Sequence, residues 1–267
     1  MPQLCLNLLN LSARYEGGVP LAEALAAAQQ TGVELVGLDT ASIRGWLEGG
    51  RSLEDLGAEL SARGLHCYEL IHLECDPADE QRTLRRAESA AAWCAALRPA
   101  WVLTASLAPA GEALARLFAR CADLLAESGA GLAWEFYPWA PIDSLARARE
   151  VVERAGRPNA GVLLDCWHFF HGPDDWKELE AFPVDAIAYV QFTDSIPVAP
   201  ERYAAESQTS RRLPGDGCFE LERFARTLLS RGFDGAVSIE VLSPETRALG
   251  AREFARQCVE RTRPFFG

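Results

Sequence analysis

The chain reads as a single (β/α)8 barrel spanning residues 1–267. Three observations carry that expectation. Eight short apolar runs with strand character recur along the sequence, amphipathic helical stretches separate them, and the alternation continues to the end of the chain. At 267 residues and 49% hydrophobic content the chain can bury a large single core, and barrels of this class commonly run to about 250 residues as one domain.

The strand candidates are LCLNLL (4–9), ELVGLD (34–39), HCYELIHL (66–73), WVLTAS (101–106), GLAWEFY (131–137), AGVLLDCWH (160–168), AIAYVQFTD (186–194) and GAVSIEVLS (235–243). Between them, LAEALAAAQQ, EQRTLRRAESAAAWCAAL, EALARLFARCADLLAES and LERFARTLLSRG repeat apolar residues at three and four spacing, with a last helix near REFARQCVERT. The sixth helical slot, DDWKELEAF, is short. Pro and Gly mark the joints in EGGVP, GRPNAG and RLPGDG, and no composition break signals a linker. A doubly wound open sheet is the competing fold, but the opening units lack a GxGxxG turn.

A formal net charge of -12 argues against a general polyanion binder, because phosphate backbones are held by clustered Lys and Arg. Nucleic acid and anionic membrane are therefore poor partners. The start has no basic leader before its short apolar stretch, and no later run approaches the ~20 apolar residues of a membrane span, so a cytoplasmic protein is expected. Eight cysteines include no CxxC pair and read as buried free thiols.

Four polar residues close strand candidates five to eight: Glu135, Asp165, Gln191 and Glu240. Any one is explained equally well as an ordinary strand-end residue satisfied by a loop N–H. Four in successive strands point to a shared partner, since a carboxylate in a Val/Ile/Leu run is costly to bury unpaired. Functional groups of such barrels gather at the C-terminal ends of the strands, so the four converge on one place. Three carboxylates and an amide oxygen form a hard ligand set for one divalent ion, Mn2+ or Mg2+ first, with Co2+ or Zn2+ also accommodated.

Polar neighbours accompany these positions. His168 follows Asp165 by three, Asp194 follows Gln191 by three, and Arg211 and Arg212 precede Pro214–Gly217 on the long seventh loop. His168 alone, between Trp167 and Phe169, reads as a packed core residue, and its spacing from Asp165 turns the reading toward function. Glu69 and His72 lie in strand three and are expected to line the mouth opposite the metal. Trp167, with Trp134, Phe136, Trp139 and Phe170, is expected to wall the pocket. Arg211 is suited to clamp a hydroxyl, carboxylate or phosphate, and Asp216 beside it favours an unphosphorylated polyol.

DCWH (165–168), QFTD (191–194), RRLPGDG (211–217) and GFDGAVSIEV (232–241) together resemble the xylose isomerase-like barrel superfamily. More narrowly, they are similar to its sugar isomerase/epimerase branch, which holds inosose isomerases, ketose 3-epimerases and the related inosose and 3-dehydroshikimate dehydratases. The resemblance implies that Glu135, Asp165 and Glu240 are metal-binding carboxylates, that His168 faces substrate, and that Arg211 is the arginine before the Pro-Gly turn. Gln191 departs from it: many isomerases of the family place histidine there, and some dehydratases use glutamine. An amide can still ligate through its oxygen.

The expected activity is that of a divalent-metal-dependent isomerase or epimerase of a keto-sugar or cyclitol. Glu135 and Glu240 would serve as acid and base around an enediolate, with His168 as a further acid. Substrate contacts are expected from Arg211, Asp194, Glu69, His72 and Trp167. The same first step with loss of a β-hydroxyl makes a dehydratase the alternative, and a non-catalytic sugar-binding barrel is a third. The partner is a small polyhydroxy carbonyl compound, and self-association into a homo-oligomer stays open. With one lysine, Lys177, placed in a helical slot, a Schiff-base aldolase lacks its nucleophile. The fold-related DNA-repair endonucleases use a histidine-rich multi-metal site and a basic face, so four histidines and an acidic charge make that class a poor match.

Overall fold

The structure, a computed structural model, describes residues 1–267 apart from the side chain of His72. Eight parallel strands close into a ring: β1 (Gln3–Asn7), β2 (Leu35–Asp39), β3 (His66–Glu74), β4 (Trp101–Ala105), β5 (Gly131–Glu135), β6 (Ala160–Asp165), β7 (Ile187–Phe192) and β10 (Ala236–Ile239). Strand β10 pairs with both β7 and β1, and that second pairing closes the barrel. The remaining two strands, β8 (Asp194–Ser195) and β9 (Arg211–Arg212), form a small antiparallel ribbon on the loop after β7.

The two-residue side-chain period of a strand sorts each run into an outer and an inner set. Leu132 and Trp134 of β5, Val162 and Leu164 of β6, Val190 and Phe192 of β7, and Val237 and Ile239 of β10 all join the large apolar core under the helices. Their alternates Ala133, Leu163 and Tyr189 pack in a separate cluster with Leu103, against Trp101 and Tyr68. By the same parity Glu135, Asp165 and Gln191 belong to the inner set, and so does Glu240, the residue after β10. Polar strand-end residues therefore face the barrel's C-terminal mouth without interrupting the outer core.

The helical layer comprises α1 (Leu21–Gln29), α2 (Thr40–Glu48), α3 (Leu53–Ala62), α4 (Glu80–Leu97), α5 (Glu112–Ala126), α6 (Leu145–Ala155), α7 (Cys166–His171), α8 (Trp176–Ala181), α9 (Tyr203–Glu206), α10 (Leu221–Ser230), α11 (Pro244–Arg247) and α12 (Ala251–Phe266). Helix α5 shows why these stretches dock. Leu114, Leu117, Phe118, Cys121, Ala122 and Leu125 recur at helical spacing and all are buried. Phe118 meets Trp134 edge to face at 5.4 Å between centroids. Helix α6 starts on Ser144, whose hydroxyl accepts the Arg147 N–H, and ends on Gly156, whose left-handed backbone (φ 61) suits glycine.

The strand expected over AGVLLDCWH is shorter in the structure. It stops at Asp165, because the Asp165 carboxylate accepts the Trp167 N–H and caps α7, so Cys166 to His168 are helical. All eight cysteines are free, and seven are buried. No described helix is long and apolar enough to cross a membrane.

Removing the Phe118 ring should cost about 3–5 kcal/mol, the range for a fully buried aromatic truncated to alanine. Urea denaturation of Phe118→Ala should show this as a lower midpoint with an unchanged slope.

Candidate functional site

Five side chains meet at the mouth of the barrel. Glu135 ends β5, Asp165 ends β6, His168 lies one turn into α7, Glu240 follows β10, and Arg211 reaches in from the ribbon. His168 Nε2 lies 3.3 Å from Glu135 Oε1 and 3.4 Å from Asp165 Oδ2. Arg211 stands between two of the carboxylates, 2.8 Å from Asp165 Oδ2 and 3.2 Å from Glu240 Oε2. Every member is buried: Glu135 is 6% exposed, Glu240 4%, His168 2%, Arg211 1% and Asp165 0%.

Glu240 is held from the far side as well. Its Oε1 accepts Asn7 Nδ2 at 2.9 Å and Gln191 Nε2 at 3.2 Å. Gln191 thus turns its amide nitrogen toward Glu240, while its oxygen is buried without a partner. Asn7 is absent from the residues expected at the site, although it closes β1 just as the other polar residues close their strands. Aromatic rings fix His168: Tyr137, Trp139 and Trp167 each meet it near edge-on at 5.0 to 5.4 Å. Trp167 also donates its indole N–H to Ser195 and lies beneath the Arg211 guanidinium.

Three other expectations are corrected by where the residues sit. Asp194 does not face the site. Its carboxylate accepts the N–H groups of Ser195, Gly215 and Phe219 and so ties the Pro214–Gly217 turn to the ribbon. Glu69 is not at the mouth; it is fully buried across the barrel interior, where Ser238 donates to its Oε1. Asp216 pairs with Arg261 at the surface rather than standing beside Arg211 in the site. The side chain of His72 lies outside the described residues.

Charge decides what the site can hold. Three buried carboxylates face one guanidinium, and burial of uncompensated carboxylate is costly. Burial pushes Glu240 well above the usual carboxylate range; Arg211 opposes that rise, while Asp165, Glu135 and Glu69 add to it. Burial would raise Asp165 too, but Arg211, His168 and the Trp167 N–H outweigh it and hold Asp165 below its ordinary value. The pKa values of two neighbouring carboxyl groups are thus driven in opposite directions by one guanidinium and by burial. Beneath them Glu69, buried with no cation beside it, is raised to about 7.

The residues fit a divalent cation. Ligand atoms of Glu135, Asp165 and His168 all lie within 4.8 Å of one another, and Glu240 is joined to Asp165 through Arg211. Buried acceptors without partners at Gln191 Oε1 and His168 Nδ1 leave further donor capacity. Carboxylate oxygens with one imidazole or amide suit Mn2+, Mg2+, Zn2+ or Co2+.

Residues 21–258 match the family model of the xylose isomerase-like TIM barrel. The chain belongs to that family. Among curated relatives, inosose isomerase of Halalkalibacterium halodurans is 30% identical over 136 residues, covering 50% of this chain and 47% of the relative. A 3-dehydroshikimate dehydratase of Pseudomonas aeruginosa is 29% identical over 132 residues, 49% of this chain and 21% of the relative. The matches thus span about half the length of the isomerase and about a fifth of the dehydratase. A solved IOLI protein carrying a zinc atom superposes with a TM-score of 0.88 at 20% identity, over 98% of this chain and 97% of that one. At that identity the likeness establishes the fold of this xylose isomerase-like barrel.

Arg211→Met should destabilise the metal-free protein by about 3–5 kcal/mol at pH 8, because it strands Asp165 and Glu240 without their cation. A carboxyl held below its ordinary pKa by a partner stabilises the fold above its unfolded pKa and ceases to do so as pH falls. The gap between wild type and Arg211→Met in denaturant melts should therefore narrow as pH falls below 3.8, the ordinary Asp value, through the depressed pKa of Asp165.

Proposed function

We propose that this chain is a divalent-metal-dependent enzyme acting beside the carbonyl of a keto-sugar or cyclitol of inosose type, as an isomerase or epimerase. The observation that carries the reading is the grouping of Glu135, Asp165, His168, Arg211 and Glu240 in one buried, acid-rich site at the strand ends. Glu135, Asp165 and Glu240, with His168 or Gln191 completing the set, would hold a divalent cation, which would supply Lewis-acid polarisation of the substrate carbonyl. The oxygen-rich donor set favours Mn2+ or Mg2+.

The chain's own groups do the rest. Glu135 and Glu240 enter from separate strands and flank the site, so one removes the proton from the carbon next to the carbonyl and the other returns it at a new position or face. Glu240, whose carboxyl burial raises well above the usual carboxylate range, is the better acid. Arg211, fixed by Asp165 and by the Ser207 carbonyl, presents a rigid donor to a substrate hydroxyl. His168 is held by its aromatic collar at the edge of the carboxylate group. The name of the inosose isomerase relatives supports the substrate class.

A dehydratase is the second reading. The relatives named 3-dehydroshikimate dehydratase support it, as does glutamine at position 191. There the same proton leaves carbon, a β-hydroxyl departs with its bonding electrons, and His168 protonates it.

Elemental mass spectrometry of protein purified without chelator should find about one divalent ion per chain, lost in Glu135→Ala. Absence of metal after incubation with each ion would sink the metal-dependent reading. In D2O, proton NMR of inososes, ketoses and 3-dehydroshikimate should show solvent deuterium entering an inosose or ketose without loss of water. A new alkene signal would assign the dehydratase reaction instead. Glu240→Gln should lower kcat at least about 10²-fold, the lower end for losing a positioned acid or base, with unchanged circular dichroism.

A further inference from the structure

We propose that Glu69 is a positioning residue for Gln191: its carboxyl group accepts the Gln191 amide N–H when that amide turns its oxygen toward a divalent cation at the barrel mouth. The inference rests on the metal reading above and deepens it.

Strand β3 lies across the ring from β7, and the Glu69 side chain spans the interior to reach Ser238 on β10, whose hydroxyl donates to Oε1. Gly37 clears the way. It is the register partner of Glu69 on β2, and a Cβ there would stand 2.5 Å from Glu69 Oε1 and 2.8 Å from its Cγ. Ser238 is in turn the register partner of Gln191, so the Glu69 carboxyl arrives directly under the amide. The Gln191 amide and the Tyr189 hydroxyl are close enough to hold its pKa down, although neither bonds to it in the present geometry.

Three buried oxygen atoms at this spot have no partner: Glu69 Oε2, Gln191 Oε1 and the Tyr189 hydroxyl. Buried polar atoms are rarely left so. An amide carries donors at one end and an acceptor at the other, and a half-turn about its last bond exchanges them. In the structure Gln191 gives its N–H to Glu240, and its oxygen has no partner. After the half-turn the oxygen points to the mouth, where only a cation or a protonated Glu240 satisfies it, and the N–H meets Glu69 Oε2. Gln191 Oε1 and Glu69 Oε2 are then both satisfied. Glu69 thereby stands to the amide as the carboxylates behind metal-bound histidines stand to their rings.

The test is Mn2+ binding to the metal-free full chain, read from the paramagnetic resonance signal of free Mn2+. Glu69→Leu should weaken binding by about 10–100-fold, the usual effect of losing the group behind a ligand. Glu69→Gln, which keeps an accepting oxygen, should stay within about threefold of wild type. In a Gln191→Ala background, Glu69→Leu should change affinity less than about twofold, because the group it positions is gone. An equal loss in both backgrounds, or no loss in Glu69→Leu, would overturn the proposal while leaving the metal reading standing. A loss in Glu69→Gln as large as in Glu69→Leu would assign Glu69 a purely electrostatic part and overturn it too. Should circular dichroism find Glu69→Leu unfolded, Gly37→Ala displaces the same carboxyl, and its weakening of Mn2+ binding must likewise vanish in Gln191→Ala. A wild-type chain that binds neither Mn2+ nor Zn2+ overturns both readings.

Discussion

The contact of Arg211 with Asp165 and Glu240 is the constraint on which the site depends. Desolvating three carboxylates in one place is tolerable only with a cation among them. Arg211 is the permanently charged group that touches two of them and acts on Glu135 through space. Its own desolvation disfavours the charge, but the carboxylates outweigh that and keep it protonated. The guanidinium is delivered by a loop, not by a barrel strand, so the loop itself must be held. Asp194 does this by gathering three backbone N–H groups, and the ribbon of β8 and β9 sets the height at which Arg211 enters.

The residues at the mouth divide by what they do for charge. Asp165 caps α7 with one oxygen and holds Arg211 with the other. Glu135 faces His168, while Glu240 collects Asn7, Gln191 and Arg211. The cap on α7 also sets the rotation of that helix and so brings His168 over the carboxylates. One side chain thereby couples local helix formation to the geometry of the site.

Much of this is legible in the sequence because strand parity is a strong code. Polar residues at the ends of GLAWE, GVLLD and AYVQF, and the Glu240 just past AVSI, have to lie on one face if their apolar neighbours form the outer core. The same rule applied to LCLN finds Asn7. It also has a false positive in Asp39, which ends β2 and serves α2 as an N-cap through Ala41 and Ser42. What parity does not encode is depth. Glu69 shares the inner face but starts low in β3, beside Trp101 at the foot of β4, so it fills the interior rather than lining the mouth. Asp194 escapes the pattern for a different reason: the turn that consumes its oxygens lies some twenty residues downstream, beyond any local signal. The helical start at Cys166 is hidden because CWHFF is as apolar as a strand, and only the cap at Asp165 separates the two.

The bond from Asn7 to Glu240 joins residues 233 positions apart. It has company: Asn10 takes the Ile239 carbonyl and the Val241 N–H, and Arg247 binds the Asn10 carbonyl. The seam where the ring shuts is therefore also a wall of the acidic pocket. A chain emerging from its N-terminus would carry β1 long before β10 exists to meet it, and contacts of such separation are slow to form. The wall of the pocket would then be completed last in folding, when β1 and β10 find each other.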